Sequence, residues 1–429
     1  MNVSLPFASS HHDSVMTIDL SKFYLIPKRK FAEGLFSAGM LLAFLTSLRP
    51  WFLWSIHSFF PLIVSMMLGI AMLVDRTTRK SLFTKTNFLA PCIIYLLLTV
   101  YQSIRSGNNI VGLVMPVFYT YIFFMLYRYD KSRLLRLSTF IAKSVAIILV
   151  PSLFFFILFL LGFPLPSRDL VFGDYFYSFT NYYFFLLDDR QLFAFIPRFQ
   201  SVFPEPTYLG STCAVLLLSQ RGRWKRWYNI VLLTALLISF SLGAYVYITA
   251  IIFLNLWVKG RKILVNLIIT ISFIGAFVAS SFFYNGGDNL VHDLILLRLE
   301  IDDGELAGNN RTTESFDVDF DNYIQSSDIL FGRDRVAEFG DSGYKVFIYD
   351  YGLVGLALLI LFYYLSFSPS DKRRSKISAW FVAAMIFGVD AFVLWLGRFI
   401  PLYCAAFTGV EDESEESNEL ETIPHEHTT

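Results

Sequence analysis

Long apolar runs, separated by short polar segments, recur along the whole chain. Most of them approach the roughly 20 residues with which an α-helix crosses the ~30 Å hydrocarbon core of a bilayer. They cover about residues 31–48, 52–74, 87–104, 110–127, 138–162, 207–220, 228–242, 244–258, 263–283, 344–366 and 377–395, with a possible twelfth at 396–409. We divide 228–258 at Ser241–Gly243, where the residues "FSLGAY" offer a turn. The pattern predicts an all-α, polytopic integral membrane protein with about 11–12 transmembrane helices and two large outward-facing loops.

The composition agrees with this class. Hydrophobic residues make up 55% of the chain and charged residues 16%, whereas soluble domains carry roughly 25% charge. The net charge is zero, so there is no electrostatic reason to expect a nucleic-acid partner. Cys92, Cys213 and Cys404 all lie inside apolar runs. They are expected to be buried small hydrophobes rather than a disulfide framework or a metal site.

The basic residues predict which side of the membrane each connection faces. Lys and Arg cluster in every second connection, starting with the segment before the first run, and such an excess is typical of cytoplasmic loops. The N-terminus is therefore predicted to be cytoplasmic. The predicted division is a cytoplasmic N-terminal segment (1–30), helices one to five (31–162), an aromatic-rich outer loop (163–206), helices six to nine (207–283), a large outer loop (284–343), helices ten to twelve (344–409) and an acidic, disordered tail (410–429).

The first outer loop is rich in Phe and Tyr, which are interrupted by acidic residues and Arg190. One interpretation is an interfacial aromatic belt on a helix that lies in the headgroup plane. The other is a floor of rings that stack on the sugar faces of a bulky amphipathic substrate. The sequence leaves both interpretations open.

The residues "RFQSVFPEPTYLG" bring a cation and an acid to the start of helix six. Pro204 and Pro206 hold Glu205 in an extended kink, and Arg198 lies on the approach. Arg198 could snorkel to lipid headgroups and pair with Glu205. Alternatively, the two residues form an anion site. There the guanidinium would bind phosphate oxygens and the carboxylate would remove a hydroxyl proton.

The large outer loop carries further arginines, Arg298, Arg311 and Arg333, among many acidic residues. This mixture predicts that each arginine acts singly, in its own pocket, rather than within a basic patch. The residues "DVDFDN" suggest a calcium loop, but the glycine and the distal glutamate of such a loop are missing. No metal is therefore expected.

The mouth of helix ten carries the residues "DSGY", which place Asp341 and Tyr344 there. Within the helix, Gly352 and Gly355 are spaced so that another helix or a lipid tail could approach closely. We expect helix packing to be the main role of these glycines.

These motifs occur in a recognisable order. Arg198, Phe203, Glu205, Pro206, Leu209 and Gly210 form the pattern R-x(4)-F-x-E-P-x-x-L-G. A Ser-x-Gly-Ala turn, an "NR" pair, "ILFG" and "DSGY" before "YGLVGL" then follow. This arrangement resembles the Wzy-type polysaccharide polymerases of the O-antigen ligase/polymerase superfamily, in motif detail over about 190–366 and in layout over the whole chain.

The resemblance implies a metal-independent glycosyltransferase of the bacterial inner membrane. Its substrates would be undecaprenyl-diphosphate-linked oligosaccharides at the outer, periplasmic face. The growing glycan would be transferred from its lipid diphosphate to a sugar hydroxyl of the next unit. No cofactor is implied, because the donor is already activated. The flippase and the chain-length regulator of the same pathway would be possible partners.

The resemblance also gives roles to the singled-out residues. Arg198 and Arg311 would hold the diphosphate and stabilise its developing charge, and Glu205 would be the base or acceptor-orienting group. The remaining candidates for substrate binding are Arg298, Arg333, Asp341 and Tyr344.

Two other functions compete with this one. An O-antigen ligase of the same superfamily would carry a histidine where this chain has Asp341 and Ser342, which favours the polymerase. A transporter of lipid-linked sugars or solutes would place its site near the midplane on broken helices in related halves. No half-repeat is evident in the sequence. The few charges near the midplane include Asp390 and Arg398, which we expect to neutralise each other.

Overall fold

The computed structural model describes residues 28–74, 88–107, 110–172, 177–191, 197–260, 313–334, 343–389 and 394–409, with 301–302, 305–306 and isolated helical positions between 265 and 279. Three predicted site residues, Arg298, Arg311 and Asp341, lie outside the described residues. Asp390, the acidic tail and most of predicted helix nine also lie outside them.

The apolar runs form helices, so the mostly helical class is confirmed. The helices are α1 (Lys28–Ser47), α2 (Phe60–Val74), α3 (Leu89–Arg105), α4 (Ile110–Arg128), α5 (Leu134–Leu160), α6 (Pro206–Ser219), α7 (Trp227–Ile238), α8 (Leu242–Val258), α9 (Glu314–Ile324), α10 (Tyr344–Phe367), α11 (Arg373–Val389) and α12 (Leu396–Phe407). Among the described residues, Lys131–Leu160 and Tyr344–Phe367 are long and apolar enough to cross a membrane.

The start of the second run differs from the prediction. Residues 52–74 were expected to be one helix, but Trp51–Ile56 form a 3₁₀ turn and α2 begins only at Phe60. By contrast, the chain does turn between α7 and α8 as predicted. Ser241 is the extended N-cap of α8, and Phe240 has a φ of +44°.

The first outer loop contains a small antiparallel sheet, so the prediction of an all-α chain is wrong in this segment. Its strands are β1 (Arg168–Phe172), β2 (Tyr177–Asn181) and β3 (Leu186–Asp188), in the order β1-β2-β3. Between β2 and β3 the chain reverses tightly, with a φ of +66° at Tyr183. The Asn181 side chain accepts a hydrogen bond from the Tyr183 N–H at 2.7 Å. The described part of this loop therefore has strands where an interfacial helix was one interpretation.

The large outer loop contributes a two-residue hairpin, β4 (Ile301–Asp302) and β5 (Glu305–Leu306), and the helix α9. α9 forms where "DVDFDN" suggested a calcium loop. Two of its carboxylates form ion pairs within the protein: Asp317 with Lys345 and Asp319 with Arg333. The described residues contain no cluster of side chains that could hold a metal ion.

The helix α12 lies at the centre of the bundle, with all twelve residues buried. At its start, the buried Arg398 donates hydrogen bonds to the hydroxyls of Ser211 and Thr212 and to the Tyr208 carbonyl, all on α6. At its end, the buried Arg221 donates to the carbonyls of Ala405 and Thr408. The buried arginines are thus bonded to backbone carbonyls and hydroxyl groups around α12, as buried charged groups require.

A break divides α10 at Gly352, where the backbone has φ +62° and ψ −169°. A Cβ at Gly352 would lie 2.5 Å from the Leu330 carbonyl oxygen and 2.6 Å from the Gly332 nitrogen. In turn, a Cβ at Gly332, which has a φ of +85°, would lie 2.3 Å from the Asp350 carbonyl oxygen. The outer-loop backbone therefore packs directly against the broken helix. The sequence suggested that a lipid tail or another helix approaches Gly352. In the structure, the backbone of the outer loop occupies that position instead.

Donors from other segments satisfy the carbonyls before the break. Such groups are needed because a helix end leaves its last carbonyls without intrahelical partners. The four bonds are Tyr323 Oη to Ile348 O at 2.7 Å, Arg333 N to Tyr349 O at 2.7 Å, Arg105 Nε to Asp350 O at 3.4 Å and Tyr101 Oη to Tyr351 O at 3.1 Å. These bonds hold the first half of α10 against α3 and the outer loop.

Candidate functional site

A cavity of about 370 Å³ lies where the end of α1, the 3₁₀ turn after it, the end of α3, the first half of α10 and the start of α12 meet. The charge pattern of the sequence predicts that these ends face outward. Its polar lining consists of Ser47, Arg49, His57, Thr99, Gln102 and Asp350, and six of the remaining lining residues are aromatic: Phe60, Tyr95, Tyr119, Phe347, Tyr351 and Trp395. This mixture of rings and a few polar groups is typical of a ligand site.

Arg49 is the cation of this cavity. It follows the end of α1 at Ser47, precedes Pro50, which cannot donate a backbone hydrogen bond, and has a φ of +54°. A non-glycine residue in this region carries a backbone cost of order 1–3 kcal/mol. The Arg49 carbonyl accepts a hydrogen bond from the Trp54 indole at 2.7 Å. This bond helps to hold the unusual conformation.

The guanidinium of Arg49 lies between two aromatic rings. Its central carbon is 5.7 Å from the ring centre of Phe172, on β1, and 5.7 Å from that of Trp395. Among the residues that the structure describes, no carboxylate forms an ion pair with Arg49. A partly buried cation framed by rings and facing a cavity can bind an anionic ligand.

His57 stands on the same wall as Arg49. Burial, and secondarily the positive charge of Arg49, lower the pKa of the His57 imidazole. The ring is therefore neutral at pH 7 and can accept one hydrogen bond as well as donate one.

Asp350 stands on the wall formed by the first half of α10. Its backbone carbonyl is one of the four that receive a donor from outside the helix. Arg105, which supplies that donor, also forms an ion pair with Asp334 at 3.1 Å. The backbone that carries Asp350 is thus held two residues before the break at Gly352.

The two residues of the entrance motif do not line this cavity. Glu205 is the extended N-cap of α6, with φ −141° and ψ 144°, as the flanking prolines predicted. One turn later the Tyr208 ring packs edge-on against Trp395, with ring centres 5.0 Å apart. Arg198 lies close enough to Tyr245, at the start of α8, to act on it electrostatically.

Arg333 and Tyr344 also lie away from the cavity lining. Arg333 binds Asp328 at 3.0 Å and Asp319 at 3.3 Å and lies over the Tyr323 ring. The pKa of Arg333 is raised, chiefly by its hydrogen bond to Asp328. Tyr344 is exposed at the first position of α10. The structure thus places Arg333 in an ion-pair network that joins α9 to α10.

The sequence interpretation did not single out Arg49, His57 or Asp350. A usable signal existed for Arg49, because "LRPW" places a cation and a proline at an interruption between apolar runs, as "RFQSVFPEP" does later. Nothing comparable marks Asp350, which becomes a cavity residue only through the packing of α10.

The chain was also compared with known proteins. No protein-family model, no curated protein and no solved structure matches it. Function therefore has to be argued from the site itself.

Proposed function

We propose that the chain is a polytopic membrane glycosyltransferase of the polysaccharide-polymerase type. It takes a growing glycan from a polyprenyl diphosphate carrier and transfers it to a hydroxyl of the next lipid-linked unit, at the outer face of the bacterial inner membrane. The cavity around Arg49 is its site, and the cation framed by aromatic rings is the observation that carries the proposal.

The exposed faces of the helices support the membrane assignment. On α5, the large apolar side chains of Phe140, Ile147 and Phe154 recur every seven residues and are 40%, 63% and 57% exposed. α2 and α3 carry similar exposed apolar side chains, including Met66 and Ile93. Soluble monomers rarely leave such continuous apolar surfaces uncovered. A lipid environment covers them, with α5 as one spanning helix.

The chemistry of the cavity supports the donor class. A guanidinium binds two phosphate oxygens at once through its planar fork. Aromatic rings around Arg49 exclude water, which strengthens its attraction for a diphosphate. The flat faces of Trp395 and Phe172 also suit the apolar faces of sugar rings. No part of this chemistry requires a metal ion or a nucleotide, since the glycosyl diphosphate is already activated.

The second candidate is a transporter of lipid-linked oligosaccharide. The broken helix α10 favours it, because transporters build their sites on discontinuous helices. Two observations weigh against it. Donors from other segments already occupy the carbonyls freed by the break. In addition, the cavity lies at the helix ends that are predicted to face outward.

Deleting the gene in the source bacterium and analysing the surface glycan tests the proposal. Loss of polymerase leaves a coat of single repeat units, with lipid-linked units still reaching the outer leaflet. Loss of a ligase would instead accumulate long chains on the carrier lipid, and loss of a transporter would trap the units inside.

Complementing the deletion with Arg49 variants locates the site. Arg49→Gln is expected to lower chain extension by about 100-fold, the scale seen when a group that stabilises developing charge is removed. Arg49→Lys is expected to rescue it only in part, because a lysine lacks the planar fork. The matched control is Arg168→Gln, since Arg168 is an exposed arginine on β1 that also lies over aromatic rings, those of Trp51 and Tyr183, but does not line the cavity. Long chains in the Arg49→Gln strain would contradict the assignment.

A further inference from the structure

The cavity lining contains a carboxylate-bearing residue as well as a cation. Arg49 and His57 come from the connection between α1 and α2, whereas Asp350 comes from the first half of α10. Among the described lining residues, Asp350 alone carries a carboxylate. A site that transfers a glycosyl group to a hydroxyl needs a base for the hydroxyl proton as well as a cation for the leaving group.

The backbone around Asp350 is held by groups from outside α10. Its own carbonyl and the next one accept from Arg105 and Tyr101 on α3. On the outer side, Gly332 packs its backbone against the carbonyl of Asp350. Such support is what holds a reacting group in place, because a base that can drift loses much of its effect.

The outer loop adds a second layer of support. Phe316, Phe320 and Tyr323 of α9 form a small core with Val346 and Tyr349 of α10. The Tyr349 hydroxyl donates to Asp319 at 2.5 Å, and Lys345 binds Asp317 at 2.7 Å. The half-helix that carries Asp350 is thus clamped by α3 on one side and by α9 on the other.

We infer that the Asp350 carboxylate is the acceptor-activating base of this site. The inference rests on the proposed function. The acceptor hydroxyl oxygen bonds to the anomeric carbon of the donor sugar, and the bond from that carbon to the phosphate oxygen breaks. The hydroxyl proton passes to Asp350. The electron pair of the broken bond leaves with the polyprenyl diphosphate, whose charge Arg49 holds. Glu205, the base expected from the sequence, lies outside the cavity lining and is not needed for this step.

The test measures donor binding and chain extension separately, both in the full-length protein. Binding is measured with undecaprenyl diphosphate, on purified variants in lipid nanodiscs, by native mass spectrometry. Turnover is measured as chain extension in the complemented deletion strain. Asp350→Asn is expected to bind undecaprenyl diphosphate within about twofold of the unaltered protein. Its chain extension is expected to fall at least 100-fold, within the range for loss of a general base.

Two further variants serve as comparisons. Asp350→Glu keeps the carboxylate and is expected to restore part of the extension. Asp169→Asn removes a carboxylate that is exposed on β1, away from the cavity lining, and is expected to leave extension within about threefold. If Asp350→Asn does not fold, Asp350→Ala replaces it as the variant without a carboxylate, and normal extension in that variant overturns the inference.

Three other outcomes would overturn the inference. The first is normal extension in Asp350→Asn. The second is joint loss of donor binding and extension in that variant, which would assign Asp350 to donor binding or to the fold. The third is loss of extension in His57→Gln while Asp350→Asn retains it. If the unaltered protein binds no undecaprenyl diphosphate and its deletion leaves the glycan unchanged, the proposed function fails together with the inference.

Discussion

At the scale of single residues, Arg221 and Arg398 lie buried at opposite ends of α12. Buried charges are costly unless they are well bonded. Both guanidinium groups donate to backbone carbonyls or hydroxyls that are themselves buried. They join α12 to α6, to α11 and to the segment after α6.

Replacing Arg221 with Met tests this role. The variant keeps an apolar side chain of similar length but removes the donors to Ala405 O and Thr408 O. The Thr408 carbonyl keeps its bond from the Ser375 hydroxyl, but loss of the Arg221 donors is expected to cost about 1–3 kcal/mol, seen as a lower thermal unfolding midpoint of the purified protein. Arg226→Met, in the same connection but exposed, is the matched control and is expected to change little. Equal midpoints for the two variants would refute the structural role of Arg221.

The sequence could not reveal this burial. The charge pattern of the sequence assigned Arg221, together with Arg223 and Arg226, to a basic cytoplasmic connection. Nothing in the sequence distinguishes Arg221 from the other two arginines. The difference arises only when the end of α12 packs against Arg221. For the same reason, Arg398 was paired with Asp390 in sequence, whereas the bonds described for it run to α6.

At the scale of elements, the break in α10 depends on two glycines. Gly352 and Gly332 both have positive φ, and each leaves no room for a Cβ against the backbone of the other segment. The spacing of Gly352 and Gly355 predicted a close approach, but not a break. Such a conformation follows from tertiary packing, which the local sequence does not determine.

Gly352→Ala is therefore expected to be strongly destabilising. The added methyl group would have to displace backbone atoms at Leu330 and Gly332 while φ stays unfavourable, a combined cost of about 2–5 kcal/mol. Gly34→Ala provides the control, because nothing lies within 4 Å of its Cβ position and alanine favours a helix interior by about 1 kcal/mol. Thermal unfolding midpoints of both purified variants give the comparison. A Gly352→Ala protein as stable as Gly34→Ala would contradict the described break.

At the scale of the whole molecule, the apolar pattern predicted where most helices lie. The pattern and the helix positions agree because runs of apolar side chains are the segments that form the packed helices. It predicted the ingredients of the site less well. Arginines and aromatic rings were expected at the outward-facing ends. However, the cavity is built from 47–60, 95–102, Tyr119, 343–351 and 394–396, and no local pattern shows that these segments converge.

The exposed apolar face of α5 gives a prediction for the molecule as a whole. Ile147 lies at the middle of that helix and is 63% exposed. If lipid covers this face, Ile147→Lys is expected to reduce the membrane-inserted, folded fraction, at a cost of roughly 2.5–3.5 kcal/mol for a charge at mid-depth. Ile147→Leu is the conservative control. Unchanged yield and unfolding midpoint for the lysine variant would indicate that water covers this face, since exposed substitutions in water are nearly neutral.

The central position of α12 has a consequence for biosynthesis. A ribosome makes this helix after every other helix that the structure describes, yet α1, α5, α6, α10 and α11 all pack against it. Contacts between residues so distant along the chain form slowly. The bundle of described helices therefore closes only once residues 396–407 have been made and can pack against the earlier helices.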